Sequence, residues 1–312
     1  MTTFVQLAVS GLAMGFIYCL VAIETTLIWK ATGLLNFAHD KMITLGAFFF
    51  GGTMMRAFGS NVLVGLIVTT IFMALFGILF ATVVINPLRN MPSRIFAMAG
   101  AIFFGFVLRE AMRLGYGPIP FTVDNFLTGT LHFGEIAISE TYIWIVIVSV
   151  ALLVAQTLFF KYSKVGRAVR CVAEDKECAA VMGINVKMNI ALSVAISSVI
   201  CGWIGILVSP IFTINHNMAA TIGMKGYCAG VIGGFGTYGG AICGGLILGV
   251  VETLYMLVGD AVYKDLVAFL LMAVFMFFKP TGLLGENSGK RRSAYQVLRS
   301  RMRKNPIEEV GK

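Results

Sequence analysis

The side chains that could do chemistry are few, and each stands out against apolar neighbours. Glu24, Asn36 and His39 lie in or near the polar turn Gly33–Gly46, where Asp40 and Lys41 follow directly. If the flanking runs cross a bilayer, an ionisable group among them is costly and marks either a paired structural site or a transport path. Glu24, Asn36 and His39 are therefore candidate translocation-path residues. Glu24 is expected to pair with Lys41, or with Lys30 at the membrane surface. A lone histidine is more often structural than ligand-binding, so the turn as a whole is a stronger candidate than His39 by itself.

A second group lies between Tyr162 and Asn185, which reads Tyr-Ser-Lys-Val-Gly-Arg-Ala-Val-Arg-Cys-Val-Ala-Glu-Asp-Lys-Glu-Cys-Ala-Ala-Val-Met-Gly-Ile-Asn. Arg167 to Ala173 suits a short helix. Asp175 can cap a second one through its carboxylate, and Gly183 can close that helix in the left-handed conformation. Ala179, Ala180 and Met182 give it a small apolar side. Two short amphipathic helices outside a membrane can lay such a side into a partner's groove. Arg167, Arg170, Glu174, Asp175, Ala179 and Gly183 are thus candidate partner contacts; the alternative is a solvated linker carrying topogenic charge.

The third group is glycine. Residues 234–239 (Gly-Phe-Gly-Thr-Tyr-Gly) match GxGxxG, but that motif binds dinucleotides only between a strand and a helix, with an acidic residue about 20 positions on. Here apolar helical sequence flanks it, and Glu252 comes 13 residues after Gly239. Gly233, Gly234 and Gly236 read instead as a helix break beside a transport path. Gly240-xxx-Gly244 and Gly245-xxx-Gly249 have the spacing that lets two helix backbones approach closely. The chain has no GxxxxGK[ST] phosphate loop and no recognisable catalytic triad, zincin helix or paired-carboxylate site. Its six cysteines form no CxxC, so neither zinc nor disulfides are expected. No enzyme activity, cofactor or metal is expected, and any ATP-driven step must come from another chain.

The elements around these residues are apolar helices. Of 312 residues, 58% are hydrophobic and 12% charged, against about 25% charged in a soluble domain. Mean hydropathy is +0.88. No Asp, Glu, Lys or Arg occurs in 1–23, 57–88, 141–160, 188–224 or 226–251, and about 20 such residues span a bilayer. This excludes an ordinary soluble enzyme, a disordered chain and a nucleic-acid binder, and leaves an all-α polytopic membrane protein. The first helix has no basic leader region and reads as a retained span.

Of the net +9, residues 161–187 carry +3 and 279–312 carry +6. Basic loops face the cytoplasm, so both segments are expected there. Five apolar segments (about 5–29, 42–58, 61–85, 94–115 and 141–160) precede the basic loop, which places the N-terminus outside. The acidic 116–140 loop then falls outside as well. After 188–212 crosses outward and about 262–279 returns, 226–258 must begin and end on the outer side. It is shorter than the roughly 40 residues two full spans need, which suggests a broken or re-entrant segment and eight or nine hydrophobic helices in all. We expect one permease domain over 1–285, with 161–187 as its cytoplasmic loop, and a basic cytoplasmic tail, 286–312, that meets anionic lipid.

Taken together, Gly-Arg-Ala-Val-Arg-Cys-Val-Ala-Glu-Asp with Met-Gly-Ile-Asn after it, Leu-Leu-Asn-Phe-Ala-His (34–39), Leu-Gly-Ala-Phe (45–48), the glycine stretch 224–241 and Lys-Pro-Thr-Gly-Leu-Leu-Gly (279–285) resemble LivH-type permeases of branched-chain amino-acid ABC importers. The resemblance spans about residues 5–285. It implies an inner-membrane permease working with a LivM-like permease, two cytoplasmic ABC ATPases and a periplasmic substrate-binding protein. Arg167 through Gly183 would then meet an ATPase. Two departures, Asp40-Lys41 after His39 and the acidic Glu24, fall in the candidate path and leave urea or short amides as alternative cargo. An ion-coupled secondary transporter is the alternative of a different class.

Overall fold

A computed structural model of the protein describes residues 2–56, 59, 61–89, 91, 93–123, 126–127, 129–133 and 136–285. The basic tail 286–312, with Asp124 and Glu135 of the acidic loop, lies outside the described residues. The helices are α1 (Thr2–Thr32), α2 (His39–Ala47, running on as a wider π-helix over Phe48–Met55), α3 (Val62–Phe80, continued to Arg89), α4 (Arg94–Tyr116), α5 (Glu140–Tyr162), α6 (Lys164–Glu174), α7 (Lys176–Val181), α8 (Val186–Val208), α9 (Ala220–Gly233), α10 (Tyr238–Val258) and α11 (Lys264–Phe278). Six stretches are long and apolar enough to cross a bilayer alone: Gln6–Thr32, Val62–Arg89, Ile95–Tyr116, Glu140–Tyr162, Val186–Val208 and Tyr238–Val258. The chain is an all-α polytopic membrane protein in which α2, α9 and α11 are apolar but shorter.

One element departs from the all-helical expectation. Within the acidic loop, β1 (Thr130–Phe133) and β2 (Ile136–Ser139) form an antiparallel hairpin with Thr130 opposite Ser139. Ile136 and Ile138 alternate with Ala137 and Ser139, a period-two pattern too short to register among long helical runs.

Small residues set the helix spacing. A β-carbon on Gly205 of α8 would run into the Ile43 carbonyl oxygen of α2 and lie 2.9 Å from Ala47 N. On the next face, one on Gly77 of α3 would lie 2.7 Å from Ala195 Cα. Ser193, Ser197 and Ser198 of α8 are buried as well. In the same way α10 lies against α1, with Gly249 on Gly15 and Gly245 on Cys19. Between apolar helices in lipid, such close backbone approach is the main source of attraction.

The chain has two ends, a basic end carrying α6 and α7 and a far end opposite. Both half-length helices, α2 and α9, begin inside the bundle. His39 Nε2 lies 3.3 Å from Cys201 Sγ, and Cys201 is about 22 Å along α8 from its basic-end start. Residues 33–38 therefore climb non-helically from the basic end to reach the start of α2. Residues 209–219 descend from the far end, where Ile214 bridges Phe121, to reach the start of α9. The two first turns meet there. Lys41 Nζ donates to Asn217 Oδ1 at 3.3 Å, Asp40 packs on Gly223, and the Tyr227 hydroxyl of α9 donates to the Asn36 carbonyl.

The close α2–α8 crossing can be tested directly. Gly205→Val should lower stability by about 1–3 kcal/mol through overpacking, seen as a lower unfolding temperature in detergent. Gly115→Ala, where a β-carbon meets nothing within 4 Å, should leave it unchanged.

Candidate functional site

At the basic end, α6 follows α5 without leaving the surface. Val169 and Val172 turn inward, while Arg167, Arg170, Glu174 and Asp175 stay exposed. The Asp175 carboxylate accepts from Glu177 N at 2.9 Å and Cys178 N at 3.1 Å, capping α7. Gly183, at φ +80°, closes the helix, its amide donating to the Ala180 carbonyl at 3.0 Å. Ala179, expected on the partner-facing side, is fully buried. The helix is a turn and a half long, so its apolar residues divide: Ala179 packs inward and Val181 and Met182 face out, at 90% and 69% exposure. Lys176 Nζ donates to the Thr32 carbonyl at 2.8 Å. That bond ties α7 to the last turn of α1, where the non-helical 33–38 segment begins.

Inside the bundle, Glu24, Asn36 and His39 are all buried. The expected ion pair of Glu24 is absent. Glu24 Oε1 accepts from the neutral Gln156 Nε2 at 2.9 Å. Lys41 instead pairs with its neighbour Asp40 at 2.7 Å, and Lys30 lies over the Tyr238 ring. The reason is position: Lys41 sits on the first turn of α2 facing Asn217 of the 209–219 segment, whereas Glu24 faces Gln156 of α5. Asn36 and His39 flank the junction of the two half-helices, His39 through Cys201 and Asn36 through Tyr227. Glu24, on α1, faces the same stretch of α8 as His39, beside Ser197 and Cys201.

The glycines lie elsewhere. Gly234 and Gly236, at φ +107° and +98°, make the turn between α9 and α10 at the basic end. Gly233 faces Gly240, Gly234 faces Gly285, and Gly236 faces Trp29. Leu283 N and Leu284 N donate to the carbonyls of Ile232 and Gly233 at 2.9 Å. These close approaches are packing. The structure does not bring Gly233, Gly234 and Gly236 together with Glu24, Asn36 and His39 in one site.

A cavity of about 640 Å³ opens at the far end between α1, the 211–218 segment, α9, α10 and α11. At its base Lys225 Nζ lies 2.6 Å from Glu252 Oε1 and 2.7 Å from Asp265 Oδ1. The Tyr18 hydroxyl donates to Glu252 Oε2 at 3.0 Å. Sequence reasoning missed this cluster, although Lys225 is the one charged residue in 188–251. A lone ionisable group in so long an apolar stretch was the available signal.

Comparisons with known proteins agree with these features. The family described as branched-chain amino acid transport system, permease component, matches residues 7–276. The permease protein LivH of Salmonella typhimurium is 32% identical over 297 residues, 90% of this chain and 96% of the relative. BraD of Pseudomonas aeruginosa is 32% identical over 295 residues, with the same shares. LivH of Methanocaldococcus jannaschii is 25% identical over 279 residues, 85% of this chain and 88% of the relative. Among solved structures, PsaBC from Streptococcus pneumoniae in complex with Fab matches at a TM-score of 0.42 and 13% identity, covering 90% of this chain and 91% of that one. The chain belongs to the branched-chain amino acid transport permease family. It is a multi-pass inner-membrane protein, and its family's role is transport, not chemistry.

The α7 cap yields a local prediction. Asp175→Ala removes both acceptor bonds and should weaken α7 by about 1 kcal/mol. Amide hydrogen exchange over 176–182 should then speed up roughly five-fold, with α8 unchanged.

Proposed function

We propose that this chain forms the translocation path for branched-chain or other neutral amino acids. The protein is the membrane permease subunit of an ABC importer, and the family match over nearly its whole length carries that conclusion. The cargo follows from the relatives named as branched-chain amino acid permeases. In this reading residues 1–285 are one permease domain. The basic end faces the cytoplasm and the N-terminus and far end face the periplasm, in line with the charge on 161–187. The Gly-rich turn then returns at the cytoplasmic face, where the positive charge of 286–312 favours anionic lipid.

The partners are two cytoplasmic ATPases, a periplasmic substrate-binding protein and a second, LivM-like permease. Arg167, Arg170, Glu174, Asp175 and Gly183, with Val181 and Met182 exposed between them, supply the seat for one ATPase. Its closure presses on α7. The Lys176–Thr32 bond carries that movement to residues 33–38, which lead straight to the first turn of α2. Asp40 of that turn packs on Gly223 in the first turn of α9, while Lys41 bonds Asn217 just before it and Asn36 takes the Tyr227 hydroxyl further along it. Displacing one half-helix against the other would open or close the bundle where His39 and Asn36 sit. The chain contributes binding surfaces and movement, and bonds of the cargo are neither made nor broken.

The test uses vesicles. Leucine uptake by the assembled complex should need ATP and the binding protein; uptake driven by an ion gradient without the ATPases would reject the importer subunit. Arg167→Glu and Gly183→Val should each abolish substrate-stimulated ATP hydrolysis while the permease still inserts. Gly183 occupies a left-handed conformation that a β-branched residue cannot take without strain. Normal stimulation in both variants would remove the coupling role from 164–183.

A further inference from the structure

Glu24 has surroundings that packing alone does not explain. It lies within Ile17–Ile28 of α1, a run in which every residue is buried, and its own exposure is 0%. Gln156 Nε2 of α5 donates to its Oε1 at 2.9 Å. On the α8 side the Ser197 hydroxyl stands beside the carboxyl, outside hydrogen-bond geometry, with Cys201 one turn further on. Three buried oxygens here have no partner: Glu24 Oε2, Ser197 Oγ and Gln156 Oε1. No ion pair among the described residues includes Glu24. The other ionisable groups around it are engaged elsewhere. His39 of α2 lies against Cys201. The Tyr238 phenol of α10 is close enough to feel the carboxyl, but Lys30 of α1 lies over that ring and Arg170 of α6 lies toward it. Lys225 of α9 is held by Glu252 and Asp265, and Lys176 of α7 by the Thr32 carbonyl. Strand β2 carries no ionisable side chain.

A carboxylate so placed is an uncompensated charge, which burial penalises far more than it penalises a neutral acid. A proton on Oε2, the oxygen that Gln156 leaves free, removes that charge. It also makes Oε2 a donor where Ser197 Oγ and Gln156 Oε1 both lack one. We propose that Glu24 is a proton-binding site in the seam between α1 and α8, occupied while these helices are packed as here and vacated when they part and water enters. The packing on either side favours parting at this seam. α1 is fixed to α10 by Gly15 against Gly249, and α8 is fixed to α2 and α3 through Gly205 and Gly77, whereas Glu24 meets α5 and α8 through polar groups. The packed form holds one proton more than the parted form, so raising the pH favours parting. The proton is bound whatever the cargo or the motor, so the proposal goes beyond the importer reading.

The competing explanation is an ionised Glu24 that only ties α1 to Gln156. Glu24→Gln separates the two, because its amide mimics the neutral acid, can donate toward Ser197 and cannot ionise. Purified wild type and variant are compared between about pH 5.5 and about pH 8.5, a range in which a free carboxyl stays ionised. The first readout is heat unfolding. The second is N-ethylmaleimide labelling of buried Cys201 relative to exposed Cys178, measured by peptide mass spectrometry; Cys178 corrects for the reagent's own pH dependence. As the pH rises, the unfolding temperature of the wild type should fall relative to the variant, because the unfolded chain gives up the proton that the fold retains. The Cys201 to Cys178 labelling ratio should rise about ten-fold in the wild type and stay flat in the variant, a change that one proton can produce within this range. Parallel pH profiles in the two proteins would overturn the site. So would a variant that fails to fold, since the fold should accept a mimic of the neutral acid. A wild type stabilised by sodium chloride over choline chloride at every pH would put a metal cation in place of the proton and overturn it as well. Neither readout needs transport, so this result and the vesicle test of the importer can fail separately.

Discussion

A peptide group at membrane depth has no water to bond, and each one left unpaired costs several kcal/mol. Helices satisfy this within themselves; the 33–38 and 209–219 segments cannot. The structure meets the demand with short-range side-chain partners. Thr32 Oγ1 accepts from Leu34 N, and Asn36 Oδ1 accepts from Ala38 N. The Asn36 carbonyl takes the Tyr227 hydroxyl, and Asn215 Oδ1 accepts from Asn217 N. The irregular backbone is thus tolerated because polar residues are spent on it, and those same residues line the junction where α2 and α9 begin. Asn36 is explained first by this structural demand, and any contact with cargo comes in addition to it.

What the sequence revealed follows from which interactions are local. The long spans were legible because uncharged runs of about 20 residues are a one-dimensional signal. Asp175 and Gly183 were legible because capping involves neighbours two to four positions away. The glycine break at 234–236 was visible for the same reason. The partner of Glu24 was not legible: Gln156 is 132 positions away on another helix, and charge alone favoured a lysine. The mid-bundle start of α2 was missed because hydropathy does not report depth. His39, Asp40 and Lys41 read as part of a polar turn between two spans, and the structure sets them inside the bundle on the first turn of a helix, Asp40 and Lys41 as a pair. Ala179 was misplaced because a six-residue helix has no periodicity long enough to separate its faces. Lys225, Glu252 and Asp265 come from three helices and converge only once the bundle forms.

Charge is distributed with the same economy. Helices α6 and α7 keep Arg167, Arg170, Glu174 and Asp175 exposed at the basic end. The Lys225 cluster gathers charge at the far end. Between these, Glu24 accepts from the neutral amide of Gln156, His39 lies against the Cys201 thiol, and Asp40 and Lys41 form an ion pair.

The helix packing divides the bundle in a way that bears on movement. α1, α9, α10 and α11 form one body, joined by glycine contacts such as Gly15 with Gly249 and Gly244 with the Ala229 carbonyl. α2, α3 and α8 form another, joined by Gly77 with Ala195 and by Gly205 with Ile43. Residues 33–38 lead from α1 to α2, and residues 209–219 lead from α8 to α9, so both irregular segments cross from one body to the other. Glycine-to-backbone contacts do not deform gradually, since any change in spacing opens a void or a clash. Rocking of one body against the other must then be absorbed where the backbone is not helical, in these two segments. They meet at Lys41 and Asn217, and one of them is anchored to α7 through Thr32 and Lys176. In the proposed importer reading, the hinge, the polar junction and the link to α6 and α7 are therefore the same few residues, and a push at the basic end would be felt at the centre of the membrane.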